Sequence, residues 1–199
     1  MSTPDTLAQI PVLRLVPKDS DALHGFAQEL GWRNTRVISG NEETPREIVY
    51  ETKKPGTVVH WIEDPKIGVD YLAIAGSERD AAAAELRAIR EFYSLSEMIV
   101  AASEAEPDEK MAAIYYLALL APDKLDERVF DIFSRYLRDE EADVRGAAVL
   151  AISYVGWPEF IVPLQPLVTR DPDETVRQDA GVMIANLKRY PARSLLAKT

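Results

Sequence analysis

An internal repeat in the second half of the chain limits its folding options more than any other feature. The block Asp139–Ile152 aligns with Asp171–Ile184 at a shift of 32 residues, bringing Asp139 onto Asp171, Val144-Arg145 onto Val176-Arg177 and Ala148 onto Ala180. A fainter copy precedes them at a shift of 35, with Glu104 in the place of Asp139, Lys110 in that of Arg145, Ala113 in that of Ala148 and Leu117 in that of Ile152. A period of this length marks one supersecondary unit that cannot bury its apolar face alone, and three units are the fewest that make a continuous core.

The residues inside each block are helical in character. An Asp near a helix start can accept from free amide groups, and a planar Arg fork can join a carboxylate to backbone oxygens across stacked hairpins. The pattern of Asp, five residues, Arg, with Val before the Arg and a small residue three positions after it, resembles the HEAT and HEAT-like repeats. That resemblance implies an α-solenoid of about three helical hairpins over residues 104–199. It also implies a hydrogen-bonded ladder between neighbouring units, built from Asp139, Arg145, Asp171 and Arg177, a structural role and not a ligand site. Glu104 and Lys110 depart from the pattern, so a rung there is weakly specified.

Read along the chain, the first hairpin pairs Glu109–Leu120 with an apolar stripe through Leu125, Val129, Ile132, Phe133 and Tyr136, after a turn at Pro122-Asp123. The second pairs Val144–Val155 with Phe160–Val168 across Gly156-Trp157-Pro158. Pro163 and Pro166 predict that this last helix is short, kinked or offset. The third starts at Val176, and Tyr190–Leu196 is too short for a second helix, so the stack is expected to end incompletely. Its exposed end is then either sealed by Leu195 and Leu196 or open to a partner or a second copy.

Before the repeats the pattern changes. Residues 1–10 read as a polar lead-in. Within residues 11–103, Val12–Val16 reads as a strand, Asp19–Leu30 as a capped helix ended by Gly31, and Arg36–Ile38, Glu47–Thr52, Thr57–Glu63 and Val69–Ala75 as strands joined by Pro- and Gly-bearing turns. A helix opened by Ser77 and Asp80 runs through Leu86, Ile89 and Phe92 and is expected to continue or kink towards Val100, closing this domain. The fold class is therefore α+β: a small N-terminal sheet domain followed by a C-terminal α-solenoid.

Composition narrows the chemistry. The chain has no Cys among its 199 residues, which removes disulfides, thiolate nucleophiles and Cys-based metal sites and fits a reducing compartment. No apolar run is long enough to span a bilayer and no signal-peptide pattern opens the chain, so cytoplasm, in a bacterial cell, is the expected location. Net charge is −10, shared evenly: residues 1–103 carry 11 basic and 16 acidic side chains, residues 104–199 carry 12 and 17. Without a concentrated Lys/Arg face, nucleic-acid binding is not expected.

Neither a phosphate-binding Gly-rich loop nor a nucleophile elbow occurs. His24 and His60 are the only histidines. The stretch His60–Pro65 together with the strand order resembles, in topology alone, one module of the glyoxalase or vicinal-oxygen-chelate fold. That resemblance would offer only His60, Glu51 and Glu63 as ligands; strand alternation weighs against the set, and register decides whether His60 and Glu51 share a face. No catalytic residue, metal or cofactor is expected. Tyr115, Tyr116 and Trp157 are the candidate interface residues, because exposed aromatics anchor protein contacts. The expected function is a non-catalytic adaptor or regulator, with an inhibitor or immunity-type protein as a specific form. Its partner is a protein, with a homodimer as a variant. The alternative is a small enzyme or metal- or small-molecule-binding protein whose site lies in the sheet domain.

Overall fold

The computed structural model describes residues 12–189, and the expectations for residues 1–10 and 190–196 lie outside them. The chain divides into two compact units between Ser94 and Leu95.

The first unit is a five-stranded antiparallel sheet in the order β1-β5-β4-β3-β2, from β1 (Val12–Leu15), β2 (Arg33–Ile38), β3 (Arg46–Glu51), β4 (Val58–Asp64) and β5 (Val69–Ala75). Alternation along the strands selects one face for Leu15, Val59, Trp61, Leu72 and Ile74, which join Phe26, Trp32, Ala82, Ala83 and Leu86 in one core. Phe26 and Ala27 come from α1 (Phe26–Leu30), and the alanines and Leu86 from α2 (Arg79–Ile89). The expected helix over Asp19–Leu30 is divided: one 3-10 turn at Asp21–Leu23, then Gly25 at φ 80°, then α1. That positive φ suits glycine and cannot continue a helix.

The predicted run from α2 towards Val100 is interrupted. Arg90 is extended, the amide of Tyr93 donates to Val16 O at 2.9 Å, and Phe92 bridges to Pro17. The segment is drawn onto the end of β1, and backbone bonds made there replace those of a continuing helix. A new helix, α3 (Leu95–Glu104), then begins and belongs to the second unit. The division therefore falls before α3, and not at residue 103 where the sheet domain is expected to end.

The second unit continues with α4 (Lys110–Leu120), α5 (Glu127–Tyr136), α6 (Ala142–Val155), α7 (Ile161–Arg170) and α8 (Glu174–Arg189). Helix α3 packs on α4, α5 on α6 and α7 on α8, while α4, α6 and α8 stack in a layer. The units are therefore α3–α4, α5–α6 and α7–α8. This corrects the expected pairing by one helix, and with it the expected incomplete end: α8 is the second helix of a whole hairpin. Pro122 and Gly156-Trp157-Pro158 mark turns between units, and Trp157 Nε1 donates to Pro122 O at 3.1 Å, joining two such turns. Pro163 lies in the first turn of α7, where an amide has no intrahelical acceptor, and only Pro166 removes a bond from its interior.

Candidate interaction surface

The three helices of the stacked layer start side by side because a charged seam joins them. Lys110 Nζ lies 2.7 Å from Asp139 Oδ2. Arg145, one unit on, donates from Nε and Nη2 to the two oxygens of Asp171, both at 2.7 Å. Nη1 of Arg145 donates to the carbonyls of Asp139 (2.8 Å) and Glu140 (3.0 Å), and Nη1 of Arg177 donates to those of Asp171 (2.7 Å) and Pro172 (3.0 Å). The two arginines thus hold the turn before their own helix in the same way. The side chains of Arg145 and Asp171 are only 8% and 3% exposed, so this pair is a buried, bidentate one. Hydrogen bonds from Arg145 hold the Asp171 carboxyl below its ordinary range against the opposing effect of burial. For Asp139, burial raises the pKa, but bonds from Lys110 and from the Glu141 amide outweigh it and the net shift is downward.

The same stacking lines up equivalent positions on the outer side of the layer. Helix α6 lies between α4 and α8 and is buried nearly all round, leaving Ala142, Gly146, Leu150 and Ser153 as its partly exposed stripe. The repeat shifts carry Leu150 to Tyr115 on α4 and to Val182 on α8, and Gly146 to Met111 and Gln178. Tyr115 and Leu150 are half-buried, Met111 is 42% exposed and Val182 59%. An apolar row thus crosses three stacked helices, at a spacing of roughly 8–10 Å per helix.

Residues 95–185 match the family model for HEAT repeats. This part of the chain is a HEAT repeat array. The match begins at the first residue of α3, the helix that completes the first hairpin. No curated protein and no solved structure matches the chain.

Within the HEAT repeats, the three sequence-predicted interface residues fare differently. Tyr115 stands in the apolar row, and burial pushes its hydroxyl pKa up. Tyr116 is half-buried beside it. Trp157 is a correction: at 3% exposure it is core, its ring stacked on Phe160 at 5.8 Å and 7° while its indole N–H is spent on Pro122 O. A turn tryptophan between two repeat units is buried by their contact. Met111, Leu150 and Val182 were missed, although the repeat alignment that located the ladder also superposes positions 115, 150 and 182.

In the sheet unit, alternation along β4 and the register of β3 against it divide the three residues offered as ligands. His60 and Glu51 project from the face opposite the helices, and Glu63 from the helix side. Each has its own partner: His60 Nδ1 lies 2.8 Å from Glu47 Oε2, Glu51 pairs with Arg33 at 2.5 Å and Glu63 with Arg46 at 2.6 Å. Among the described residues no group of three or more His, Asp or Glu is placed to hold a metal ion. A cleft of about 430 Å³ opens at the end of the sheet, lined by Asn41, Thr44, Arg46, Glu63, Asp64 and Asp70. Burial and the nearby Glu63 raise the Asp70 pKa. No helix among the described residues is long and apolar enough to cross a membrane.

Proposed function

We propose that the protein is a non-catalytic adaptor or regulator that binds another protein across the outer side of the α4, α6 and α8 layer. The observation that carries this reading is the row Tyr115, Leu150 and Val182 at equivalent positions of stacked helices, extended by exposed Met111 one turn before Tyr115. Repeat stacks spread binding energy along such a surface without a pocket, and apolar and aromatic anchors supply most of it. A cytoplasmic inhibitor or immunity-type role suits a small, acidic chain of this kind. Affinity capture from the native host tests the reading. A protein retained by the wild type should be lost with Met111→Ser/Val182→Ser and kept with Glu127→Ser/Asp131→Ser on the other helix layer. Equal retention by all three would refute it.

One observation favours a second reading, a small-molecule site in the sheet unit: the cleft between Asn41, Arg46, Glu63 and Asp70. Protein purified from its host should then carry a co-purifying molecule that Asp70→Asn releases. Its absence from both preparations removes this reading.

A further inference from the structure

We propose that the occupant of the α4, α6 and α8 layer is a basic, amphipathic segment of the partner protein. Its apolar side chains would lie on Met111, Tyr115, Leu150 and Val182, and its Lys or Arg side chains over the carboxylates at the helix starts. This rests on the reading of that layer as the binding surface and adds the chemistry of what it binds.

The argument is one of charge beside apolar area. The pairs Lys110–Asp139 and Arg145–Asp171 each join the start of one helix to the start of the next, so the three N-termini share an edge. Along that edge Asp108, Glu109, Glu140, Glu141, Asp143 and Glu174 are exposed. Two neighbouring cations are paired, Lys110 with Asp139 and Arg145 with Asp171, and the charge of Arg177, whose Nη1 bonds two carbonyls, is balanced by that of part-buried Asp173. Exposed Arg138 adds one positive charge. Each helix N-terminus adds about half a charge, so the edge remains roughly three charges negative.

Carboxylates at helix starts have a local role, since they complement the dipole and accept amides. Here, however, they border an apolar row on the same helices. Asp143 shows this directly, as its neighbour Ala142 begins the partly exposed stripe that Gly146 and Leu150 continue. A polyanion such as nucleic acid would be repelled by this edge, and an acidic helix would meet like charge. A basic segment gains on both counts, by steering to the edge and by burial on the row. Two helix-to-helix steps make the row roughly 20 Å long. That length matches about 13 residues of helix or about six of strand.

The test uses the full chain and two labelled peptides of about 14 residues with one amphipathic pattern, one of Leu and Lys, the other of Leu and Glu. Fluorescence anisotropy at low salt should show the Leu/Lys peptide binding at least about tenfold more tightly than the Leu/Glu peptide, a difference of about 1.4 kcal/mol. Glu140→Lys/Glu141→Lys/Asp143→Lys should weaken the Leu/Lys peptide by about tenfold or more, and Met111→Ser/Val182→Ser by a similar factor. Reversing two carboxylates on α5, Glu127→Lys/Asp131→Lys, should change it by less than about twofold. All these side chains are exposed, and circular dichroism of each variant checks that it is folded before binding is compared. Equal weakening by the α5 reversal overturns the inference, because the attraction would be that of an acidic protein at large. If the Leu/Glu peptide binds as well and responds to Met111→Ser/Val182→Ser, the basic occupant falls while the surface reading stands. If neither peptide responds to the row, this inference falls. The surface reading falls with it only if a captured host protein also ignores those substitutions.

Discussion

Removing the Asp171 side chain should cost more than removing any other carboxylate of the seam, and the structure sets the size. Asp171→Ala deletes two hydrogen bonds from Arg145 at 2.7 Å and one from the Asp173 amide at 3.0 Å. It also leaves a guanidinium that is 8% exposed without its counter-charge. Breaking a buried pair in this way costs about 3–5 kcal/mol. Because Nη1 of Arg145 keeps its bonds to two carbonyls, the lower end, about 3 kcal/mol, is expected. Asp139→Ala loses a partner on a flexible, less buried Lys110 and should cost about 1–2 kcal/mol. In Arg145→Met/Asp171→Ala the stranded charge is gone, so the double variant should be more stable than Asp171→Ala by about 1 kcal/mol or more. Urea unfolding followed at 222 nm measures these losses, and hydrogen exchange assigns them to residues 95–189 rather than to the sheet unit. A loss below about 1 kcal/mol for Asp171→Ala, or a double variant less stable than the single one, would refute the account of the seam.

Acid should weaken the repeats through the same groups. Asp171 and Asp139 have folded pKa values below the ordinary 3.8, so their stabilisation is complete above that value and is lost as pH falls below it towards the lowered values. Urea midpoints between about pH 2.5 and 6 should drop in that window for the wild type and less steeply for Asp171→Asn. Gly146→Ala and Gly181→Ala should each stabilise by about 0.5–1 kcal/mol. The added Cβ meets Val176 Cγ2 at an ordinary 4.0 Å in the first case and nothing within 4 Å in the second. A fall in the melting midpoint would contradict this. Trp157→Ala should cost about 3–5 kcal/mol, as expected of a core aromatic, and thermal unfolding reads it directly; a loss under about 1 kcal/mol would return Trp157 to the surface.

Local chemistry made much of the architecture legible. Strand β5 follows from a β-branched and aromatic run ended by Gly68 and Gly76, and the Asp–Arg blocks located the start of α6 and α8. The hairpin register was not legible, because α3 carries no Asp–Arg block of its own and follows α2 closely enough to read as its continuation. The break between them depends on Tyr93 and Phe92 bonding to the end of β1, a contact between residues far apart in sequence. Trp157 was misread for a related reason: a turn residue looks exposed until the neighbouring unit's turn closes over it. The apolar row could have been found from the repeat, since Tyr115, Leu150 and Val182 superpose there. Its exposure could not, because that depends on which side of α6 its neighbours cover. In the sheet unit, alternation along β4 already put Glu63 and His60 on opposite faces, but only the pairing of β3 with β4 placed Glu51 on the face of His60.

The binding surface and the occupant proposed for it both depend on α4, α6 and α8 stacking as one layer, and distance measurement tests that stacking without reference to stability. With no native Cys, Met111→Cys/Gln178→Cys places two spin labels at equivalent positions on the first and third helices of the layer. Both side chains are exposed. Two helix-to-helix steps predict a separation of roughly 20 Å between the labelled backbones, and a single narrow distribution by pulsed electron resonance. A distribution centred beyond roughly 35 Å, or one too broad to define a distance, would contradict the layer, since two steps of 8–10 Å cannot reach it.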